Sequence, residues 1–288
     1  MIVPTANIPF YWSKRRRELF RRCKRWYFLY CYGAWGGNDV SAAPEIREIH
    51  RLKRLQSTAE YLNGLTVRIL REHFYRRPES SLLPFGMGRL RWELENMRSR
   101  PLKEDHNFPL LRKFVETPAE LGHLAQTLQK ELSCRLNTLE SGFYGELCKL
   151  AFPDRVELDF PLRTFVGELP CYTPAFLIFR KAGKLCFADL NDSPEGALLH
   201  RYCAMARAGL PPEGVASFQA DFDQGILRST DTALNISELL RGIRKDVGEM
   251  SVFIPANDTA DSNDFPAEPG GHCTDCPFCK WCSKNQEN

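Results

Sequence analysis

From Ser13 to about residue 150 the apolar residues recur every three or four positions, the spacing of a helix with one buried face. Leu19, Phe20, Cys23, Trp26, Tyr27 and Tyr30 share one side of a first helix predicted over Ser13–Tyr30, which GAWGGN at 33–38 ends. Ile46, Ile49, Leu52, Leu55, Ala59, Leu62 and Leu65 predict a longer helix from Pro44 to about Phe74. Two proline-bounded loops, Pro78–Pro84 and Pro101–Pro109, flank a short helix near Arg89–Arg98. The helical period resumes over 118–147, opening on Thr117-Pro118 with an acid at Glu120.

Beyond residue 155 the period changes. Val156–Phe160, Arg163–Val166, Ala175–Arg180 and Leu185–Asp189 are short apolar runs set off by Pro, Gly and Lys, as strands are. Ala182-Gly183-Lys184 makes a tight hairpin between the last two. A helix follows from Glu195 to about Ala208, then strands at Val215–Phe222 and Ile226–Ser229, then a helix at Ile236–Met250. The pattern predicts three regions: a mostly helical 1–150, an α/β core over 151–254, and 255–288, where a surface linker leads to a cysteine cluster.

Composition adds what pattern leaves out. The 288 residues are 43% hydrophobic and 26% charged, enough to bury a substantial core. No run approaches the roughly 18 apolar residues of a membrane span, and the N-terminus lacks the charged-then-apolar order of an export signal. A soluble, cytoplasmic protein is expected. The net charge of +3 hides an asymmetry: residues 1–100 carry 20 Lys and Arg against 9 Asp and Glu, the remainder 19 against 27. One end is suited to a polyanion. Eight cations crowd into twelve residues there: Lys14, Arg15, Arg16, Arg17, Arg21, Arg22, Lys24 and Arg25. Trp12, Phe20, Trp26, Tyr27 and Phe28 lie among and beside them, a mixture that can neutralise phosphates and stack on bases.

Four of the 11 cysteines stand in HCTDCPFCKWC, as Cys273, Cys276, Cys279 and Cys282. Two chemistries compete. Four local thiolates suit a structural zinc ion; three of them with a distant cysteine suit an iron–sulfur cluster. Cys23, in FRRCKRWYF, is the distant candidate, because basic and aromatic neighbours are unusual company for an inert thiol. Joined to Cys273, Cys276 and Cys282 it gives one early cysteine followed by C-x2-C-x5-C.

That arrangement resembles the iron–sulfur nucleases of the RecB-like PD-(D/E)XK superfamily, including the CRISPR-associated adaptation nucleases and the AddAB-type nuclease. FRRCKRWYFLYCYGAWGG, LNGLTVRIL, YTPAFLIFRKAGKLCFADLND and GALLHRYCAMA are similar to four successive segments of that family, in order. The resemblance implies a PD-(D/E)XK nuclease-like α/β core with a helical N-terminal extension. It also implies a 4Fe–4S cluster on Cys23, Cys273, Cys276 and Cys282 that staples the first helix to the tail, with Cys279 a spare thiol. Its chemistry is hydrolysis of phosphodiesters by Mg²⁺ or Mn²⁺ held on strand carboxylates.

Here that constellation is depleted. Ala175 stands at the first acid position, Asn191 replaces the lysine that follows Asp189, Arg68 the histidine, and Leu198 the glutamine that precedes Tyr202. Only Asp189 survives as a catalytic candidate, and Arg68 is placed to pair with it. A migrated site would draw on Glu168, Asp189 and Asp192, with Lys181, Lys184 or His200 nearby. The expectation is a DNA-binding, nuclease-like protein with an inactive centre, working with other subunits of a DNA-processing complex and not at a membrane. An active nuclease with a rearranged site and a zinc-knuckle interaction protein are the alternatives.

Overall fold

The computed structural model describes residues 1–4, 8–76, 79–99, 110–116, 121–157, 162–173, 175–190, 194–230, 235–253 and 259–284. It is a mixed α/β molecule with several small sheets. The chain opens with β1 (Ile2–Pro4) and β2 (Trp12–Ser13), then α1 (Lys14–Arg22), whose first turn is capped by the Ser13 hydroxyl accepting from the Arg16 amide. The expected helix Ser13–Tyr30 is interrupted. Cys23 is extended (φ −167°, ψ 120°), α2 covers Lys24–Phe28, and a π turn covers Leu29–Gly33. The tail is the cause: the Arg25 amide, which a continuous helix would bond to Arg21, instead donates to the Pro266 carbonyl at 3.1 Å.

The second expected helix also divides, into α3 (Pro44–Lys53) and α4 (Thr58–Arg76). Between them β3 (Leu55–Gln56) pairs in parallel with β4 (Leu110–Leu111). Ser57 and Glu60 then close a reciprocal cap on α4: the Glu60 amide donates to the Ser57 hydroxyl and the Ser57 amide to the Glu60 carboxylate. α5 (Leu82–Ser99) starts earlier than the pattern suggested, with Pro84 in its first turn, where no amide donor is required. α6 (Arg112–Glu116), α7 (Leu121–Ser141) and α8 (Phe143–Cys148) follow. Leu65 and Ile69 of α4, Leu90 of α5 and Leu128, Leu132 and Leu136 of α7 form the main core. Gly142 separates α7 from α8 by necessity, since a Cβ there would lie 2.2 Å from the Gly225 carbonyl oxygen.

β5 (Leu162–Val166) and β6 (Leu169–Thr173) form a hairpin, with β2 parallel to β6. The strand expected over Val156–Phe160 is absent at 156–157, where only Arg155 bridges Phe179, and 158–160 lie outside the described residues. β7 (Leu177–Lys181) and β8 (Lys184–Asp189) join through Ala182 and Gly183, both at positive φ as a two-residue hairpin turn requires. α9 (Pro194–Ala208) crosses over to β9 (Val215–Asp221), parallel to β8, and β10 (Ile226–Ser229) completes the order β10-β9-β8-β7. Leu177, Phe179, Cys186 and Ala188 face the helical core. Ala175, Ile178, Leu185 and Phe187 pack with Cys203 and Ala204 of α9 on the other side.

After α10 (Ile236–Ser251), with its own Asn235–Glu238 capping box, comes β11 (Thr259–Asp261), which pairs antiparallel with β1. Within the expected linker, 259–265 is therefore built into the fold, and Phe265 is fully buried against Tyr27, Phe28 and Tyr32. α11 (Cys279–Lys284) ends the described chain.

Candidate cysteine centre and basic cleft

The break between α1 and α2 places Cys23 beside the tail. Cys23, Cys273, Cys276, Cys279 and Cys282 line one cavity of about 230 Å³, closed on its apolar side by Leu29, Pro269 and the fully buried Phe278. Short-range backbone bonds shape the tail loop: the Cys276 amide donates to His272 at 3.1 Å and the Cys282 amide to Phe278 at 2.8 Å. Burial pushes the Cys276 thiol up to about 12, against a lowering hydrogen bond from the Phe278 backbone. Burial also raises Cys282, against the opposing pull of the Arg25 guanidinium. Any metal bound here must displace protons from those sulfurs.

The donor set fits a thiolate-bound centre in one further respect. Trp26 and His272, near-parallel rings 6.4 Å apart on the cavity wall, each carry a buried ring nitrogen, Nε1 and Nε2, with no hydrogen-bond partner. No group of three His, Cys, Asp or Glu among the described residues converges closely enough to hold one metal ion.

A second, larger cleft of about 590 Å³ lies along α1 and the start of α9. Tyr11, Lys14, Arg15, Arg16, Tyr30 and Tyr172 line it with Asp189, Glu195 and Gly196. Asp189 ends β8, is 7% exposed, and its Oδ1 accepts the Leu190 amide at 2.6 Å. Ala175 is on the same sheet face but fills its place completely, packed against Phe187 and Ala204. Pro174, Asn191 and Asp192 lie outside the described residues.

Arg68 does not reach Asp189. Its Nε and Nη2 donate to the fully buried Glu93 at 3.1 and 2.9 Å, and Tyr61 and Arg89 bond the same carboxylate. The reason is register: two α4 turns beyond Tyr61, Arg68 faces α5 rather than the sheet. The other candidates for a migrated site are scattered. Glu168 is exposed on the β5–β6 turn, five residues and roughly 16 Å from Thr173 at the cleft. Lys181 and Lys184 occupy the far end of the β7–β8 hairpin, and His200 is buried, stacked on Phe187 with Nδ1 3.3 Å from Ser217 Oγ. Leu198 packs in a core cluster, and the Tyr202 hydroxyl donates to the Phe165 carbonyl.

The eight cations divide by role. Arg17 gives a bidentate pair to Glu195 at 2.8 and 2.6 Å, and lies 3.6 Å from the buried Asp246. Arg21 bonds Asp246 at 2.7 Å, Lys24 bonds Glu268 at 2.7 Å, and Arg25 Nε donates to the Phe265 carbonyl at 2.8 Å. Arg15 and Arg22 are exposed beside Tyr30 and Trp26, and Lys14 lies 3.9 Å from Glu18. Arg16 is buried. Glu195 and Asp246 were not singled out from sequence. An acid in the first turn of α9 is a readable helix-dipole signal, but its pairing with Arg17 spans 178 positions.

Set against known proteins, the chain has no match: no family model, no curated protein and no solved structure is similar to it.

Proposed function

We propose that this chain is a nuclease-like DNA-binding protein with a 4Fe–4S cluster on Cys23, Cys273, Cys276 and Cys282 and without a working hydrolytic centre. As such it acts as a binding or scaffold subunit in DNA processing or defence. The observation that carries the reading is the meeting of Cys23 with the tail thiols at one cavity, on the helix pair whose first half lines the Asp189 cleft. When bound, the cluster supplies a rigid covalent tie between that helix pair and the tail. The chain's own residues do the rest. Arg15, Arg22 and Lys14 are placed to meet phosphates, while Arg17, Arg21 and Asp246 fix the helix against α10.

Loss of hydrolysis follows from the cleft. Mg²⁺ usually takes one or two carboxylates plus phosphate oxygens; Ala175 offers a methyl group, and Glu195 is held by Arg17. An active Mg²⁺- or Mn²⁺-dependent nuclease is the second reading, favoured by the presence of Asp189 and Glu195 in one cleft. Cleavage of labelled single- and double-stranded DNA by the wild type and by Asp189→Ala separates the two. The proposal predicts none from either protein with DNA binding retained; metal-dependent cleavage lost in Asp189→Ala contradicts it. Replacing Lys14, Arg15 and Arg22 by Gln should weaken binding and reduce the salt slope by about 0.9 or less for each phosphate no longer neutralised.

A further inference from the structure

We propose that the cleft seats a phosphate group against the buried guanidinium of Arg16 with no divalent metal ion, which deepens, and rests on, the DNA-binding reading of the same cleft. Arg16 is 6% exposed, yet no carboxylate among the described residues lies within ion-pair distance of it. Its Nη1 reaches only the Pro9 and Tyr11 carbonyls, both at 3.5 Å, its Nε has no partner, and its charge rests 3.4 Å over the Tyr11 ring. Arg17, one position on, is bidentate to Glu195. A buried cation left without an anion is strongly unfavourable.

The neighbourhood deepens the deficit. Lys53, whose ammonium lies 4.6 Å over the Tyr30 ring, is half-buried, has no carboxylate partner among the described residues, and is close enough to Arg16 for the two charges to repel. Lys14 and Arg15 line the cleft as well. The acids facing the space are already engaged: Glu195 by Arg17, Glu18 by Lys14, and Asp189 by the Leu190 amide. A phosphate oxygen at Arg16 supplies the missing negative charge, which a divalent cation could not.

The test uses the full chain in EDTA, titrated calorimetrically with inorganic phosphate and with 5′-phosphorylated and 5′-hydroxyl hexadeoxynucleotides. Expected are metal-free phosphate binding and a loss of about tenfold or more in affinity for Arg16→Gln. That variant should be at least as stable as the wild type in phosphate-free buffer, because it removes an uncompensated charge. Preference for the 5′-phosphorylated strand identifies a terminal phosphate as the ligand, equal binding an internal one. If Arg16→Gln does not fold, its loss of stability and the wild-type titration decide together: no heat with phosphate overturns the inference. DNA binding unchanged by Arg16→Gln overturns it while leaving the DNA reading standing; phosphate binding without DNA binding does the reverse.

Discussion

Cys23 is the residue at which the N-terminal helix pair meets the tail thiols. It lies at a break in the helix pair, 7% exposed, facing four thiols from the last sixteen residues. Cys23→Ser should lower bound iron sharply, whereas Cys279→Ser should retain it, as iron analysis of the two variants would show; equal loss in both would change the ligand set. Glu195 gives a pH signature. Its bond to Arg17 holds its carboxyl below the ordinary 4.5, so its contribution to stability is present above that value and is lost as pH falls through the depressed one. Glu195→Gln should lose stability at neutral pH and show a shallower decline on acidification, measured by denaturant melts from pH 7 to 3. An unchanged slope would assign the acid sensitivity elsewhere. Cys23 was singled out by its basic and aromatic neighbours, and the structure buries it in a core cluster beside the tail thiols. Arg16, Arg17 and Arg22 read alike as sequence, since burial, pairing and exposure are set by α9, α10 and the N-terminal loop.

At the scale of elements, the helical and strand periods locate α7, α9 and the β7–β8 hairpin close to where they stand, because local pattern and burial agree there. The failures have local causes. The apolar period runs unbroken through Leu55 and Ala59, masking a capping signature at Ser57–Glu60 that was readable in its own right. Ser57→Ala should cost about 1 kcal/mol in a denaturant melt; no change would mean that the β3–β4 pairing alone sets the start of α4. β6 was missed because Pro170 interrupts it. In the structure that proline lies beyond the short stretch where β2 pairs with β6. Cys23 and Arg25 show the converse case, a helix with good periodicity opened by a bond to Pro266 that no local pattern announces.

On the scale of the whole molecule, the tail is tied to the N-terminal region before any cluster is considered. β11 pairs with β1, the Met1 amine donates to Ser262 Oγ at 2.9 Å, and Phe265 sits among Tyr27, Phe28 and Tyr32. A cluster at the five-thiol cavity would add a cross-link spanning most of the chain. The charge asymmetry of the two ends was visible from composition; its concentration beside Asp189 required the fold. Chemical analysis of anaerobically purified protein for iron, acid-labile sulfide and zinc tests the central claim most directly. About four irons and four sulfides per chain, a brown protein, and their loss in Cys23→Ser are expected; stoichiometric zinc with no iron or sulfide, unaffected by that substitution, would contradict the iron–sulfur reading.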